Sequence, residues 1–241
     1  MGKTDWSEEG WNARIKLVER LGAVVFTDLK NRSSFPTDHP CHVAAPFNQV
    51  GRAPKRIVEI LEQADVILAL EWTDLASALR IKKGGKIGAK VIASAMDQYL
   101  HNGWNMDYFG LPACDLKILA SPNELIRPLI EAVHRLRGTK EKAAAKWPVR
   151  QAPALPKPRA EGMMGLKDLA LVMRDFTQQR DVTMAGFSLG WPSDTVNFKG
   201  PLDYVGFDGG GGVGSGPANA IGTELALKGS GRLCVAVVGD G

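Results

Sequence analysis

Two segments near the end of the chain combine residue types and spacing that could bind a phosphate and a metal ion. The first is Gly239-Asp240-Gly241, a carboxylate between two residues without side chains. Glycine lets a backbone approach a ligand closely, and a carboxylate suits a divalent cation that holds a phosphate. The second is the run 209–216, which has six glycines in eight positions. Because a helix is predicted to follow it, its backbone N–H groups could face a phosphate or a flat heterocycle.

The elements around these two segments predict that they meet at one end of a parallel sheet. An apolar run over 233–238 precedes Gly239 and predicts a buried strand. An apolar helix is predicted over 217–228, directly after the glycine run. Open α/β sheets bind ligands at the carboxyl ends of their strands. We therefore expect both segments to face one ligand there, although a bare glycine run is also typical of a flexible loop.

Two mechanisms fit this arrangement. In a dinucleotide-binding fold, Gly212-Val213-Gly214 would cradle a pyrophosphate and Asp240, at roughly the required spacing, would bind a ribose. However, Pro217 stands where the third small residue belongs, and the strand expected over 203–207 is weak. In the second mechanism, Asp240 is a metal ligand and the glycine loop is a wall for a cofactor ring.

The first 140 residues alternate helix and strand signals, which predicts a parallel α/β layer structure. The helix at 7–21 has Ser7 as its N-cap and Gly22 as its stop. The helix after Ser121 has a capping residue, a first-turn proline and a capping-box glutamate in order. Another helix is predicted around 57–63, and strands are predicted at 23–27, 65–70, 90–94 and 116–120.

The chain changes character after residue 140. Lysine and alanine give way to four prolines, which suit a linker that follows the surface, and we place the linker at 141–163. A helix over 166–178 and a strand over 182–187 are predicted beyond it. The predicted organisation is therefore a first domain at 1–140, the linker, and a second unit at 164–241.

The ordered combination of these features resembles a known family. Residues 210–214, the small-residue helix start at 217–222 and the strand with its Gly-Asp-Gly at 235–241 look like the thiamine-diphosphate-binding region of acetolactate synthase and benzoylformate decarboxylase-type enzymes. The first 140 residues look like the central domain of that family, with characteristic turns at 27–30 and 35–40. By this resemblance we expect the opening strand of that domain to be missing before Trp6. The resemblance implies an α/β fold, with a Rossmann-like parallel-sheet central domain followed by a truncated parallel α/β thiamine diphosphate-binding domain.

The resemblance also implies roles for the residues of the two motifs. Asp240 would coordinate the Mg²⁺ ion that bridges the diphosphate, and Gly239 and Gly241 would offer backbone contacts to it. The remaining positions would hold the organic part of the cofactor. Val213 stands where the family wedges the cofactor into its bent conformation, and the carbonyl of Gly211 or Gly212 would hold the aminopyrimidine ring.

The implied activity of the family is decarboxylation of a small 2-keto acid, or carboligation through the same intermediate, in a homodimer or homotetramer when full length. The family's second metal-binding side chain would fall past Gly241, and its cofactor-activating glutamate lies in a domain that we do not find in the sequence. We therefore expect a fragment of a longer enzyme, inactive by itself, and assign no catalytic residue. FAD is bound by the central domain of some relatives, but nothing in the sequence supports FAD here.

Composition narrows the class of protein. The 30 basic and 26 acidic residues give a net charge of +4, too small to imply nucleic acid as a partner. The start of the chain has no apolar run, which predicts no membrane partner, and three scattered cysteines are typical of reduced thiols in the cytoplasm. Cys41 lies between His39 and His42 in a segment that we interpret as a structural turn. The rival functions are a nicotinamide-dependent oxidoreductase and a non-catalytic α/β assembly module.

Overall fold

Parallel sheets with helices packed beside them make up the computed structural model of the chain. It describes residues 1–47, 55–79, 87–96, 113–138, 147–148, 150–151, 153–154, 162–188, 190–206 and 214–239. The helices are α1 (Glu8–Leu21), α2 (Lys55–Gln63), α3 (Leu75–Leu79), α4 (Pro122–Arg137), α5 (Leu166–Gln178) and α6 (Ser215–Ala226). The strands are β1 (Val66–Leu70), β2 (Lys90–Ser94), β3 (Leu116–Ile118), β4 (Val182–Gly186) and β5 (Leu233–Ala236). The predicted α/β class is thus confirmed.

The first sheet has the order β1-β2-β3, with every pair parallel. All three strands were predicted from the sequence, and each lies within the range that its apolar run indicates. Helices α1 and α4 cover it through a cluster that contains Leu17, Leu70 and Ile126. Both helices start as their sequences predict, because Ser7 accepts from the amide of Gly10 and Ser121 accepts from that of Asn123.

The strand predicted at 23–27 is wrong as a regular strand. Val25 makes a single parallel bridge to His42, and Asp28 makes another to Phe47. The physical reason is that the segment 23–28 is bridged to the turn-rich segment 35–47. That segment bonds to it at separated points and does not form a continuous ladder with it. Apolar β-branched residues favour a strand, but a strand also needs a neighbour that stays beside it.

The second sheet pairs β4 with β5 in parallel, and Tyr204 bridges Met184 on the other side of β4. Four aromatic rings stack beside β4: Phe187, Trp191, Phe198 and Tyr204. Leu29, from the first half of the sequence, is buried in the same cluster. The core of the second unit is therefore completed by a residue that precedes the predicted linker by more than a hundred positions.

The predicted linker, 141–163, falls mostly outside the described residues, so the domain bounds stay a prediction. Among its described residues, Arg150 donates to the carbonyl of Val196, and the carbonyl of Pro153 accepts from Arg174. These bonds attach two points of the linker to the second unit. In the described ranges, every helix falls short of the length and apolar character needed to cross a membrane.

His42 is enclosed at the centre of the turn-rich segment 35–47. Its Nε2 lies 2.9 Å from the hydroxyl of Thr27, and its ring stacks on Phe35 at a centroid distance of 6.4 Å. The amide of Cys41 donates to Nδ1 of His39, which makes the 39–42 stretch a hydrogen-bonded turn. Burial, reinforced by the charge of Arg150, lowers the pKa of His42 from its usual 6.5 to about 3. The imidazole is therefore neutral in the folded chain at neutral pH.

This buried imidazole predicts a component of acid sensitivity. Between pH 6.5 and about 3 the unfolded chain binds a proton at His42 that the folded chain excludes, so the free energy of unfolding falls as the pH falls. The variant His42→Gln lacks this linkage. Between pH 7 and pH 4 its free energy of unfolding should decline less steeply, by at most about 1.4 kcal/mol per pH unit. Urea unfolding at each pH measures the difference, with the exposed His134→Gln as control; parallel curves for His42→Gln and the unmodified chain would contradict the assignment.

Candidate functional site

Three parallel segments of the second unit end at the same side of the sheet. The amide of Val237, just past β5, donates to the carbonyl of Gly186 at the end of β4, at 3.2 Å. The amide of Val205 donates to the carbonyl of Met184, at 3.1 Å, so the segment that leads into the glycine run lies alongside β4. We call this side the carboxyl edge; it comprises Gly186, Val205 and Val237 with the residues that follow each.

Helix α6 begins at the carboxyl edge. Its N-cap is Gly214, with φ 92° and ψ −4°, a conformation that side chains rarely adopt. A Cβ built on Gly216 would lie 2.4 Å from Cγ1 of Val238, so only glycine lets the first turn of α6 approach the end of β5 this closely. The first turn contains no acidic residue. The backbone N–H groups at the start of a helix and the positive end of the helix dipole therefore favour an anion here.

One of the predicted site residues lies at this edge in the described structure. Gly239 follows directly on Val238, whose side chain contacts the first turn of α6. The other five lie outside the described residues: Gly211, Gly212, Val213, Asp240 and Gly241. Their roles stay predictions. The described residues that flank them, 206 and 214 on the glycine run and 239 before Asp240, all belong to the carboxyl edge.

A segment of the first half of the chain holds the stem of the glycine run in place. The hydroxyl of Tyr204 donates to the carbonyl of Leu29 at 2.8 Å, and the amide of Ser33 donates to the carbonyl of Tyr204 at 3.0 Å. Thr37 exchanges two bonds with Phe198, one from its own amide at 2.9 Å and one to its hydroxyl at 2.8 Å. We call these contacts between 28–37 and 198–206 the clamp.

The clamp reaches the first residue before the undescribed part of the glycine run. Gly206 has φ 104°, and a Cβ there would lie 3.1 Å from both the amide nitrogen of Arg32 and the carbonyl oxygen of Lys30. The backbone of the clamp therefore packs directly against the start of the loop. Sequence reasoning missed this role, because the turns at 27–30 and 35–40 are polar loop sequences whose partner lies far along the chain.

Arg232 fixes the opposite end of the same segments. Its Nε donates to the hydroxyl of Thr183 at 2.8 Å, and its Nη2 donates to the carbonyl of Val182 at 2.6 Å and to Oδ1 of Asp203 at 2.8 Å. One guanidinium therefore connects β4, β5 and the segment that bridges β4. Since all three are fixed in register at their amino ends, their carboxyl ends stay aligned.

A separate cavity of about 310 Å³ runs along β4 between α5 and the loop 191–203. Its polar lining includes Arg174, Lys199 and Arg232. Among the predicted cofactor residues, Gly239 lies within the described part of the chain, and it does not line this cavity. In the part of the chain that the structure describes, no group of three metal-ligating side chains is present.

Comparison with solved structures gives the same architecture. A thiamine diphosphate-dependent 4-hydroxybenzoylformate decarboxylase from Rhodococcus jostii RHA1 matches 95% of this chain with a TM-score of 0.66 and 20% identity. Benzoylformate decarboxylase from Polynucleobacter necessarius matches 96% with a TM-score of 0.62 and 17% identity. At these identities the likeness establishes the fold. The chain spans 40% and 41% of the length of those two chains. No family model and no curated protein matches the sequence.

The clamp predicts the effect of removing one hydroxyl. Tyr204→Phe keeps the aromatic stack but leaves the buried carbonyl of Leu29 without its donor, so we expect the free energy of unfolding to fall by about 1–3 kcal/mol. The control is Thr223→Val, which removes a hydroxyl that donates within exposed helix α6 and should change stability by less than about 0.5 kcal/mol. Chemical unfolding measures both; equal small effects would show that the clamp bond contributes nothing.

Arg232 predicts a larger effect. Arg232→Met preserves the stem but leaves Asp203, Thr183 and the carbonyl of Val182 without their shared donor, at a cost of about 3 kcal/mol in the free energy of unfolding. The control Arg180→Met removes an exposed guanidinium that lies over the ring of Phe176, and we expect a loss below about 1 kcal/mol. Thermal unfolding of the two variants ranks them; a more stable Arg232→Met than Arg180→Met would contradict this role.

Proposed function

We propose that this chain forms one side of a Mg²⁺-dependent thiamine diphosphate site in an enzyme that acts on 2-keto acids. The observation that carries the proposal is the geometry of the carboxyl edge. The first turn of α6, the ends of β4 and β5, and Gly239 lie together there. The fold also supports the proposal. Two solved decarboxylases, one named as thiamine diphosphate-dependent and one named as a benzoylformate decarboxylase, match nearly the whole chain.

The first turn of α6 would bind the diphosphate. Backbone N–H groups at a helix start and the helix dipole attract an anion, and the first turn of α6 presents no carboxylate to repel one. Gly214 and Gly216 keep side chains away from the approach, so that a phosphate oxygen can reach the backbone. These residues therefore fit the diphosphate of the proposed cofactor.

The residues after β5 would hold the metal. A carboxylate and backbone oxygens are the ligands that Mg²⁺ prefers, and Asp240 follows the described Gly239 at the carboxyl edge. Gly241 would add a backbone contact. Across the site, Val213 would support the bent form of the cofactor, and the carbonyl of Gly211 or Gly212 would accept from its aminopyrimidine ring.

When bound, thiamine diphosphate supplies a group that stabilises the negative charge left as carbon dioxide departs from a 2-keto acid. The residues of this chain bind and orient that group; none of them is proposed as an acid or a base. The two similar structures are decarboxylases by name, and we therefore favour decarboxylation, with acetolactate synthase-like carboligation as the alternative. Substrate binding and turnover are proposed for an enzyme of the length of those structures, as a homodimer or homotetramer.

Titration calorimetry with thiamine diphosphate, with and without Mg²⁺, tests the proposal. We expect weak binding that strengthens by about tenfold or more when Mg²⁺ is present, because the metal links the diphosphate to Asp240. Asp240→Ala should remove the Mg²⁺ dependence. The matched control is Asp181→Ala, an exposed aspartate at the amino end of β4, which should bind like the unmodified chain.

Three outcomes would contradict the proposal. Binding of NAD(H) that is indifferent to Mg²⁺ would favour the nicotinamide-dependent oxidoreductase. A folded chain with no affinity for either cofactor would favour the assembly module. Rapid decarboxylation of benzoylformate or pyruvate by these 241 residues alone would overturn the expectation that they form only one side of the site.

A further inference from the structure

The cavity between α5 and β4 has two chemically different ends. At the amino end of β4, it is lined by Arg180 and Asp181, which come directly before Val182. At the other end, it is lined by Phe187, which follows directly on Gly186. A strand rises about 3.3 Å per residue, so these two ends lie about 16 Å apart. The cavity thus offers separate places for two parts of one small molecule.

The amino end has an excess of positive charge. Two of its cations are paired: Arg232 with Asp203 at 2.8 Å, and Arg174 at 3.0 Å with Asp175, which lies outside the lining. Asp181 is largely exposed to water and lies 3.9 Å from Arg232. The whole charged lining consists of four cations and two carboxylates: Arg174, Arg180, Lys199, Arg232, Asp181 and Asp203.

Two cations at the mouth of the cavity remain for a ligand. Within the described ranges, no carboxylate pairs with Arg180 or Lys199. Arg180 lies over the ring of Phe176, and the amide of Lys199 donates to Asp203 at 2.6 Å, which fixes its backbone at this end. The side-chain amide of Asn197 lines the same cavity and has no hydrogen-bond partner in the described part of the chain. Together these groups are donors for one anion.

The rest of the cavity is apolar and includes aromatic rings. The ring of Phe187 stacks on that of Trp191 at a centroid distance of 5.2 Å and on that of Phe198 at 6.4 Å. Met184 of β4 and Met173 of α5 complete this part of the lining. Ring edges and methionine sulfur both make favourable contacts with a flat aromatic ring.

We propose that this cavity is a binding site for a small molecule that has one anionic group and one flat apolar ring. The anionic group would lie between Arg180 and Lys199, and the ring would lie against Met173 and Met184. The volume of about 310 Å³ is at the small end of the range for small-molecule sites. Neither the described start of α6 nor Gly239 lines the cavity, so this site is separate from the one proposed for the diphosphate.

A ligand in this cavity would also hold the loop that the clamp holds. The carbonyl of Phe198 accepts from the amide of Thr37 at 2.9 Å, and the carbonyl of Gly200 accepts from the hydroxyl of Ser33 at 2.9 Å. Lys199 lies between these two anchored residues. The ligand would therefore connect α5 to a loop that the first half of the chain already fixes, and would stabilise the folded chain in proportion to its occupancy.

Titration of the 241-residue chain with 4-phenylbutyrate, followed by backbone amide chemical shifts, tests the proposal. This probe carries a carboxylate and a phenyl ring on a flexible linker. We expect saturable shifts at Thr177, Trp191 and Lys199, with a Kd of about 1 mM or lower. Two matched probes should each bind at least about tenfold more weakly: 4-phenylbutanamide, which lacks the charge, and butyrate, which lacks the ring.

A double variant tests the two cations. Arg180→Met with Lys199→Met should weaken binding of 4-phenylbutyrate by about tenfold or more and leave binding of 4-phenylbutanamide unchanged, because only the charge is recognised there. Both side chains are exposed, so the fold is kept. The matched control is Arg135→Met with Lys228→Met, which removes the same two charges at exposed positions outside the cavity and should bind both probes like the unmodified chain.

Three outcomes would overturn the proposal. No saturable shifts up to about 20 mM 4-phenylbutyrate would show that the cavity does not bind this class of molecule. Equal affinity for the carboxylate and its amide would show that Arg180 and Lys199 recognise no anion. Shifts at Gly214, Gly216 and Gly239 instead would place the probe at the carboxyl edge. None of these measurements uses thiamine diphosphate or Mg²⁺, so this inference can fail while the proposed function stands.

Discussion

The clamp between residues 28–37 and 198–206 is the interaction on which the carboxyl edge depends. Tyr204 takes part three times, through its ring, its hydroxyl and its backbone, and each contact is buried. Ser33 adds bonds from its hydroxyl to the carbonyls of Gly200 and Pro201, both at 2.9 Å. The backbone of 28–37 supplies hydrogen-bond partners for the loop 198–206, which lies in the other half of the sequence. Without the clamp, neither the stem of the glycine run nor the aromatic cluster is complete.

Alignment at the carboxyl edge also requires the opposite end of the sheet to be fixed. Arg232 provides this with a half-buried guanidinium that bonds to β4 and to Asp203 in the segment that bridges β4. The two ends of the sheet therefore have different roles. Charged and hydrogen-bonded side chains set the register at the amino ends, and glycines at the carboxyl ends keep the backbone accessible. A site for a diphosphate needs both, since it must be open to the ligand and yet held at a fixed geometry.

Local signals predicted most helices and strands of the described structure. Caps at Ser7, Ser121 and Gly22 act within one turn of chain, so they predicted where α1 and α4 begin and where α1 ends. The strand at 23–27 was wrong because strand formation depends on a neighbour that local sequence does not reveal. Of the candidate site, the convergence of Gly239 with the start of α6 was predicted from the sequence. The clamp and Arg232 were not, because their bonds join residues distant along the chain.

The central claim is that a diphosphate binds where α6 begins and β5 ends. The most direct measurement is the change in backbone amide chemical shifts during titration with thiamine diphosphate and Mg²⁺, compared with unphosphorylated thiamine. We expect shifts concentrated at Gly214, Gly216 and Gly239 that require both the diphosphate and the metal, with Arg232 and its partners unaffected. Shifts confined to the cavity between α5 and β4, or equal shifts with thiamine alone, would contradict the claim.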